Sequence, residues 1–148
     1  MKKPLTRRFG FLVNEVGRLY SQQFDRLARE RLGLSQAQCR LLFALSAAGE
    51  PLPQSALAQR LGVTPMAIAS LCDRMAAAGW VERQPCEGDR RVNLLALRPR
   101  AARALDGALK IGDELTREVL GGLDAASQAQ LLDMLGSVRD RLTGEAAP

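Results

Sequence analysis

Leu5, Phe9, Leu12, Val16, Leu19, Tyr20, Phe24 and Leu27 recur at intervals of three and four. That spacing lines one side of an α-helix. A helix of this length runs roughly 40 Å, more than a small domain can cover, so part of its stripe is expected to meet another chain. Gly33 ends it. Ser35 and Gln38 then stand in capping-box register and open a second helix through Leu42 and Leu45 to Gly49. Glu50-Pro51-Leu52-Pro53 interrupts regular structure and leaves room for a very short strand at most. A two-turn helix over 54–61 closes at Gly62. Thr64-Pro65 starts a fourth helix over 66–78, with Thr as N-cap and Pro at the first helical position. Its inward face is Ile68, Leu71, Cys72 and Met75. Two short helices joined by a tight Gly-containing turn form a helix-turn-helix.

Beyond Gly79 the period changes. Residues 80–86 and 92–97 read as two strands around the tip Glu87-Gly88-Asp89-Arg90-Arg91. Pro85 suits an edge strand. Pro99 opens a fifth helix, through Leu105, Leu109, Leu115 and Val119, which Gly121-Gly122 breaks. Asp124 caps a sixth, with the stripe Leu131, Leu132, Leu135, Val138 and Leu142. Residues 144–148 read as a disordered tail. The fold class is therefore mainly α with a small β-hairpin: a winged helix-turn-helix core over 35–99, flanked by long terminal helices in 1–34 and 100–143.

Composition narrows the chemistry. The 148 residues contain no histidine, which removes the commonest general base and metal ligand. With no metal-ligand cluster and no Gly-rich phosphate loop, neither an enzyme nor a metal or other cofactor is expected. Cys39, Cys72 and Cys86 are odd in number and far apart, which fits a reducing cytoplasm better than a disulfide framework. No apolar run reaches membrane-span length and no signal peptide is recognisable, so a cytoplasmic protein is expected. The net charge of +5 is segregated: residues 1–40 carry +6, 54–100 carry +3 and 101–148 carry −3. A basic surface of this kind favours a polyanionic partner.

At this point the chain resembles the MarR-type transcriptional regulators. The resemblance rests on ALAQRLGVTPMAIASLCDRMAAAGWVER, then GDRR, then VNLLAL, within residues 56–97. Asp89-Arg90-Arg91 matches the Asp-x-Arg pattern of that family's wing. Gly79-Trp80-Val81-Glu82-Arg83 matches the lead into it. The resemblance implies a homodimer held by the N- and C-terminal helices, pseudo-palindromic double-stranded operator DNA, recognition helices in the major groove and wing arginines in the flanking minor groove. It also implies release by a small, phenolic or otherwise aromatic effector; some members respond instead to cysteine oxidation. Two places depart from the pattern. Leu97-Arg98-Pro99-Arg100-Ala101 replaces a Leu-Thr-x-x-Gly run, and Ser70 stands where a long polar side chain is common.

Each candidate residue then has a physical role. Thr64, Pro65 and the helix N-terminus would meet phosphate. Met66 and Ala67 offer apolar contact to thymine methyls, Ser70 can hydrogen-bond a base edge, and Arg74 is placed for phosphate. Asp89 would organise the wing, Arg91 probe a narrow minor groove and Arg90 contact phosphate. Arg18, Tyr20, Arg40 and Phe43 are the effector-pocket candidates, and Cys86 beside the wing is the redox candidate. Two alternatives stay open: a redox-responsive regulator acting through a cysteine, and a winged-helix protein-interaction module without specific DNA binding.

Overall fold

In the computed structural model, which describes residues 4–145, the first apolar stripe is split. Leu5–Arg7 form a 3₁₀ turn and α1 spans Phe9–Leu32, with Arg8 extended between them. Pro4 causes the break: its carbonyl accepts Arg7 N–H at 3.0 Å, closing a separate turn before the long helix begins. Leu5 is therefore not part of the α1 stripe. Gly33, in the left-handed region at φ 66°, closes α1.

The capping box of α2 (Gln36–Ala48) forms as its sequence requires. Gln38 N–H donates to Ser35 Oγ at 3.1 Å, and Ser35 N–H donates to Gln38 Oε1 at 2.8 Å. Asp25 of α1 adds an anchor by accepting Gln36 N–H at 2.9 Å and Arg29 Nε at 2.7 Å. These bonds, the one from Gln36 first, hold its carboxyl below the usual range. β1 is only Leu52–Pro53. α3 (Gln54–Leu61) and α4 (Pro65–Ala77) follow, separated by the Gly62 turn.

β2 (Val81–Cys86) and β3 (Asp89–Leu97) form the wing, and β1 pairs with the other side of β3 in an antiparallel sheet of order β1-β3-β2. Pro85 thus lies on an edge strand, as its missing N–H demands. The hairpin departs from expectation at its tip. Only Glu87-Gly88 turn, Gly88 at φ 92°, and β3 already begins at Asp89. The ladder slips between Pro85, paired with Asn93, and Cys86, paired with Asp89. Arg90, Arg91 and Val92 therefore bulge out of the ladder on the β3 side instead of crowning the turn.

Leu41, Leu42, Leu45, Leu57, Ile68, Met75, Val81 and Leu95 make the core of this winged portion. The described residues fall into two compact units divided after Gly112, within α5 (Ala101–Val119). In the first, α5 approaches the end of α1 closely: a Cβ on Gly107 would lie 2.6 Å from Leu32 Cδ2. The buried face of α5 is Ala101, Ala104, Ala108, Ile111 and Leu115, while Leu109 and Val119 are exposed. This corrects the expected stripe at Leu109 and Val119, while Leu115 is buried and Leu105 half-buried. Alanines carry a faint hydrophobic signal, yet they permit a short interhelical distance that leucines would prevent.

In the second unit, Gly121-Gly122 end α5, and Gln128 Nε2 donates to Leu120 O and Leu123 O at 3.1 and 3.0 Å. Asp124 caps α6 (Ala125–Thr143) by accepting Ser127 N–H at 2.7 Å. No residue of α6 is buried. Of the expected tail, Gly144 and Glu145 form the α6 cap, Glu145 N–H donating to Asp140 O at 2.9 Å; residues 146–148 lie outside the described residues. Among the described residues, no helix is long and apolar enough to cross a membrane.

Candidate nucleic-acid interface

α4 owes its start to Thr64, whose Oγ1 accepts Ala67 N–H at 3.1 Å, and to Pro65 at its first turn. The threonine hydroxyl hydrogen remains free to donate outward. With Ile68, Leu71, Cys72 and Met75 turned into the core, the opposite face carries Met66, Ala67, Ser70, Asp73 and Arg74, all exposed. Met66 is 83% exposed, a large apolar side chain held in water by a well-packed helix. Such a face, small next to the backbone and apolar at its leading turn, suits the floor of a DNA major groove.

Asp89 and Arg91 are locked together at the wing. Asp89 Oδ1 accepts Arg91 N–H at 3.0 Å and Arg91 Nε at 3.2 Å, and Oδ2 accepts Nη2 at 3.3 Å. The guanidinium of Arg91 and then its backbone N–H hold the Asp89 carboxyl below its usual range. The Arg91 side chain is still 90% exposed, so its orientation is set while its charge faces solvent. Arg90, exposed next to it in the bulge, presents a second cation.

Two contacts unite the wing with α4, and neither was found from sequence. Arg83 Nη2 on β2 donates to Asp73 Oδ1 of α4 and, at 3.2 Å, to Gln54 Oε1 at the start of α3. Arg100 lies 3.8 Å over the Trp80 ring and donates to Ala78 O, the carbonyl that ends α4. Asp73 is thus occupied by the protein's own arginine, which removes a negative charge from the face that would approach phosphate. Groups 10, 29 and 22 residues apart meet in these contacts; only the Gly-x-x-x-Arg lead at 79–83 hinted at one of them.

The four pocket candidates do not converge within one chain. Arg18 lies in a shallow depression with Gly10, Phe11 and Glu15; Phe43 lines a groove with Ala47, Leu105 and Leu109. Arg40 Nη2 donates to Leu61 O at 3.0 Å, closing the end of α3, and Tyr20 lies near Gly112 of α5. Of the cysteines, Cys39 and Cys72 are buried and Cys86 is half-buried; all three are free. Burial pushes the Cys39 thiol up to about 11 and raises that of Cys72. Among the described residues, no cluster fit to hold a metal ion is present.

An exposed helix of a helix-turn-helix, braced against a wing that presents oriented arginines, defines a winged-helix DNA-binding protein. The sequence profile of the MarR family matches residues 32–92. The chain is similar to the transcriptional regulator PA3341, with 30% identity over 93% of this chain and 99% of that one and a TM-score of 0.77. It is similar to a cysteine-to-serine mutant of MarR from E. coli complexed with operator DNA, with 25% identity, coverage of 92% and 99%, and a TM-score of 0.77. BpsR from Bordetella bronchiseptica, a protein whose DNA binding is regulated by 6-hydroxynicotinic acid, shares the fold at 18% identity, with coverage of 95% and 99% and a TM-score of 0.79. No curated protein matches in a sequence search. The chain belongs to the MarR family of transcriptional regulators.

Proposed function

We propose that this protein is a homodimeric repressor that binds a pseudo-palindromic operator in double-stranded DNA and lets go when a small aromatic effector binds. The observation that carries the DNA half is the Asp89–Arg91 fork beside the exposed face of α4. Thr64, Pro65 and Arg74 meet phosphate, while Met66, Ala67 and Ser70 face base edges in the major groove. Arg91 enters the minor groove and Arg90 contacts phosphate beside it. Fixing Arg91 in advance lowers the ordering cost of binding. The operator-bound E. coli relative supports this reading.

The dimer half rests on uncovered apolar faces. On α1, Phe9, Leu12, Val16 and Leu19 are exposed; on α6, Leu132, Leu135 and Leu142 are exposed. Such faces call for a partner, and a second copy supplies the same stripes. Residues 1–34 and 100–143 then serve dimerisation and 35–99 DNA binding. The ligand-regulated relative BpsR supports the effector half.

Footprinting on the DNA that flanks its own gene, with the mass of the complex measured in parallel, tests the proposal. Two protected half-sites about one helical turn apart and two chains per duplex are expected. No protection at low salt, with a protein partner recovered instead, would favour a protein-interaction module.

A further inference from the structure

We infer that Asp73 is a built-in antagonist of DNA binding and that Arg83 is the positioning residue that keeps it silent. Positions 66, 70 and 73 follow at steps of four and three, so Asp73 shares the outer face of α4 with Met66 and Ser70. Its side chain is 70% exposed. A carboxylate on a helix laid between two rows of phosphates repels them, and like charges brought together across an interface cost affinity. On a face otherwise apolar, small or basic, this one acid is out of place.

Arg83 answers it from the wing. Its guanidinium donates to Asp73 on α4 and to Gln54 Oε1 at the start of α3, the latter at 3.2 Å. The Arg83 side chain is only 33% exposed, against 90% for Arg91. Two acceptors from two helices already hold this cation. Reaching a phosphate would mean releasing Asp73 where its charge does most harm. Arg83 is therefore set apart from Arg90 and Arg91 as a residue that arranges the interface without touching the duplex.

The place of Arg83 in the hairpin gives the pair its second use. Arg83 stands opposite the buried Leu95 in the regular part of the β2–β3 ladder, before the slip at Pro85. It thus ties the root of the wing to α3 and α4, below the bulge that carries Arg90 and Arg91. Asp73 serves as the acceptor for that tie, so a charge that opposes binding alone supports it in the pair. Residues joined in this way are not additive: losing Arg83 alone should be worse than losing both. The effect on affinity rests on the DNA half of the proposed function, whereas the tie itself does not.

The test measures affinity of the full-length protein for a duplex made from the DNA that flanks its own gene. Arg83→Ala bares Asp73 and should weaken binding about ten-fold or more. Adding Asp73→Ala to that variant should restore affinity by about three-fold or more, although it removes a second polar side chain. Arg83→Lys, which keeps the charge and loses the fork, should fall between wild type and Arg83→Ala. Gln54→Ala, which leaves Asp73 paired, should cost about three-fold or less. Amide hydrogen exchange over 81–97 reads the tie without DNA and should be faster in Arg83→Ala and in the double variant alike. A double variant no tighter than Arg83→Ala overturns the antagonism of Asp73. A salt slope shallower by about 1 in Arg83→Ala, with no rescue, would make Arg83 a DNA contact instead. Unchanged exchange overturns the tie. Absence of duplex binding by wild type would refute the DNA reading and the antagonism with it, and exchange would then decide the tie alone.

Discussion

Leu57 and Leu132 are the same side chain in opposite situations. Leu57, on α3, is fully buried among the helices of the winged portion, whereas Leu132, on α6, is 59% exposed. The same contrast holds between whole regions. Residues 35–97 bury most of their large apolar side chains and tie their elements together with Arg83 and the Ser35–Gln38 box. Much of α1 and most of α6 leave theirs in water, and no residue of α6 is buried. One region is complete as a single chain; the other leaves apolar surface uncovered.

The strongest way to break this contrast is to attack the complete region. Leu57→Ala removes a core side chain and should cost about 3 kcal/mol, read as a shift of the denaturation midpoint. A negligible shift would mean that this core is looser than its burial implies. The next perturbation goes to the other region. Leu135→Glu places a charge on the α6 stripe and should convert the proposed dimer to monomer while sparing the winged fold. Operator affinity should fall by about 100-fold or more, since two linked half-site contacts become one. Light scattering checks the mass, and a dimer that survives the charge would remove α6 from the interface.

How much of this could be read beforehand follows the range of the chemistry. Ser35 with Gln38, Thr64 with Pro65, and the stops at Gly33, Gly49 and Gly62 act within a few residues, and the helices they bound were legible. The candidate DNA face was legible for the same reason, because helical period alone turns Met66, Ala67, Ser70 and Arg74 away from the core. The α5 face was legible at Leu115 and not at Leu109 or Val119. Leu109 and Val119 look like part of a core stripe, yet Ala101, Ala104 and Ala108 are the buried positions of the helix's first half, and the glycine at 107 lets α1 come close. The wing register slips between Pro85 and Cys86, where three residues of β3 go unpaired, and strand periodicity does not mark such a bulge. Arg83 with Asp73 and Arg100 with Ala78 join only after folding.

A smaller effect concerns the wing alone. Arg91 holds the Asp89 carboxyl below its usual 3.8. The fork is therefore intact above that pH and is lost only as pH falls through the lowered value; raising pH through neutrality leaves it unchanged. NMR titration should find the Asp89 midpoint below 3.8, and Arg91→Ala should move it upward. A midpoint that does not respond to Arg91 would mean that the two side chains are not paired in solution.

Arg91, pre-set by Asp89, is the side chain proposed to meet the nucleic acid. The direct measurement is the affinity for a duplex operator across a range of salt concentration, wild type against Arg91→Ala. Wild type should bind more tightly by about 1–3 kcal/mol, and the variant's log–log salt slope should be shallower by about 1, one phosphate-region cation fewer. Equal affinities and equal slopes would mean that Arg91 makes no contact with the duplex.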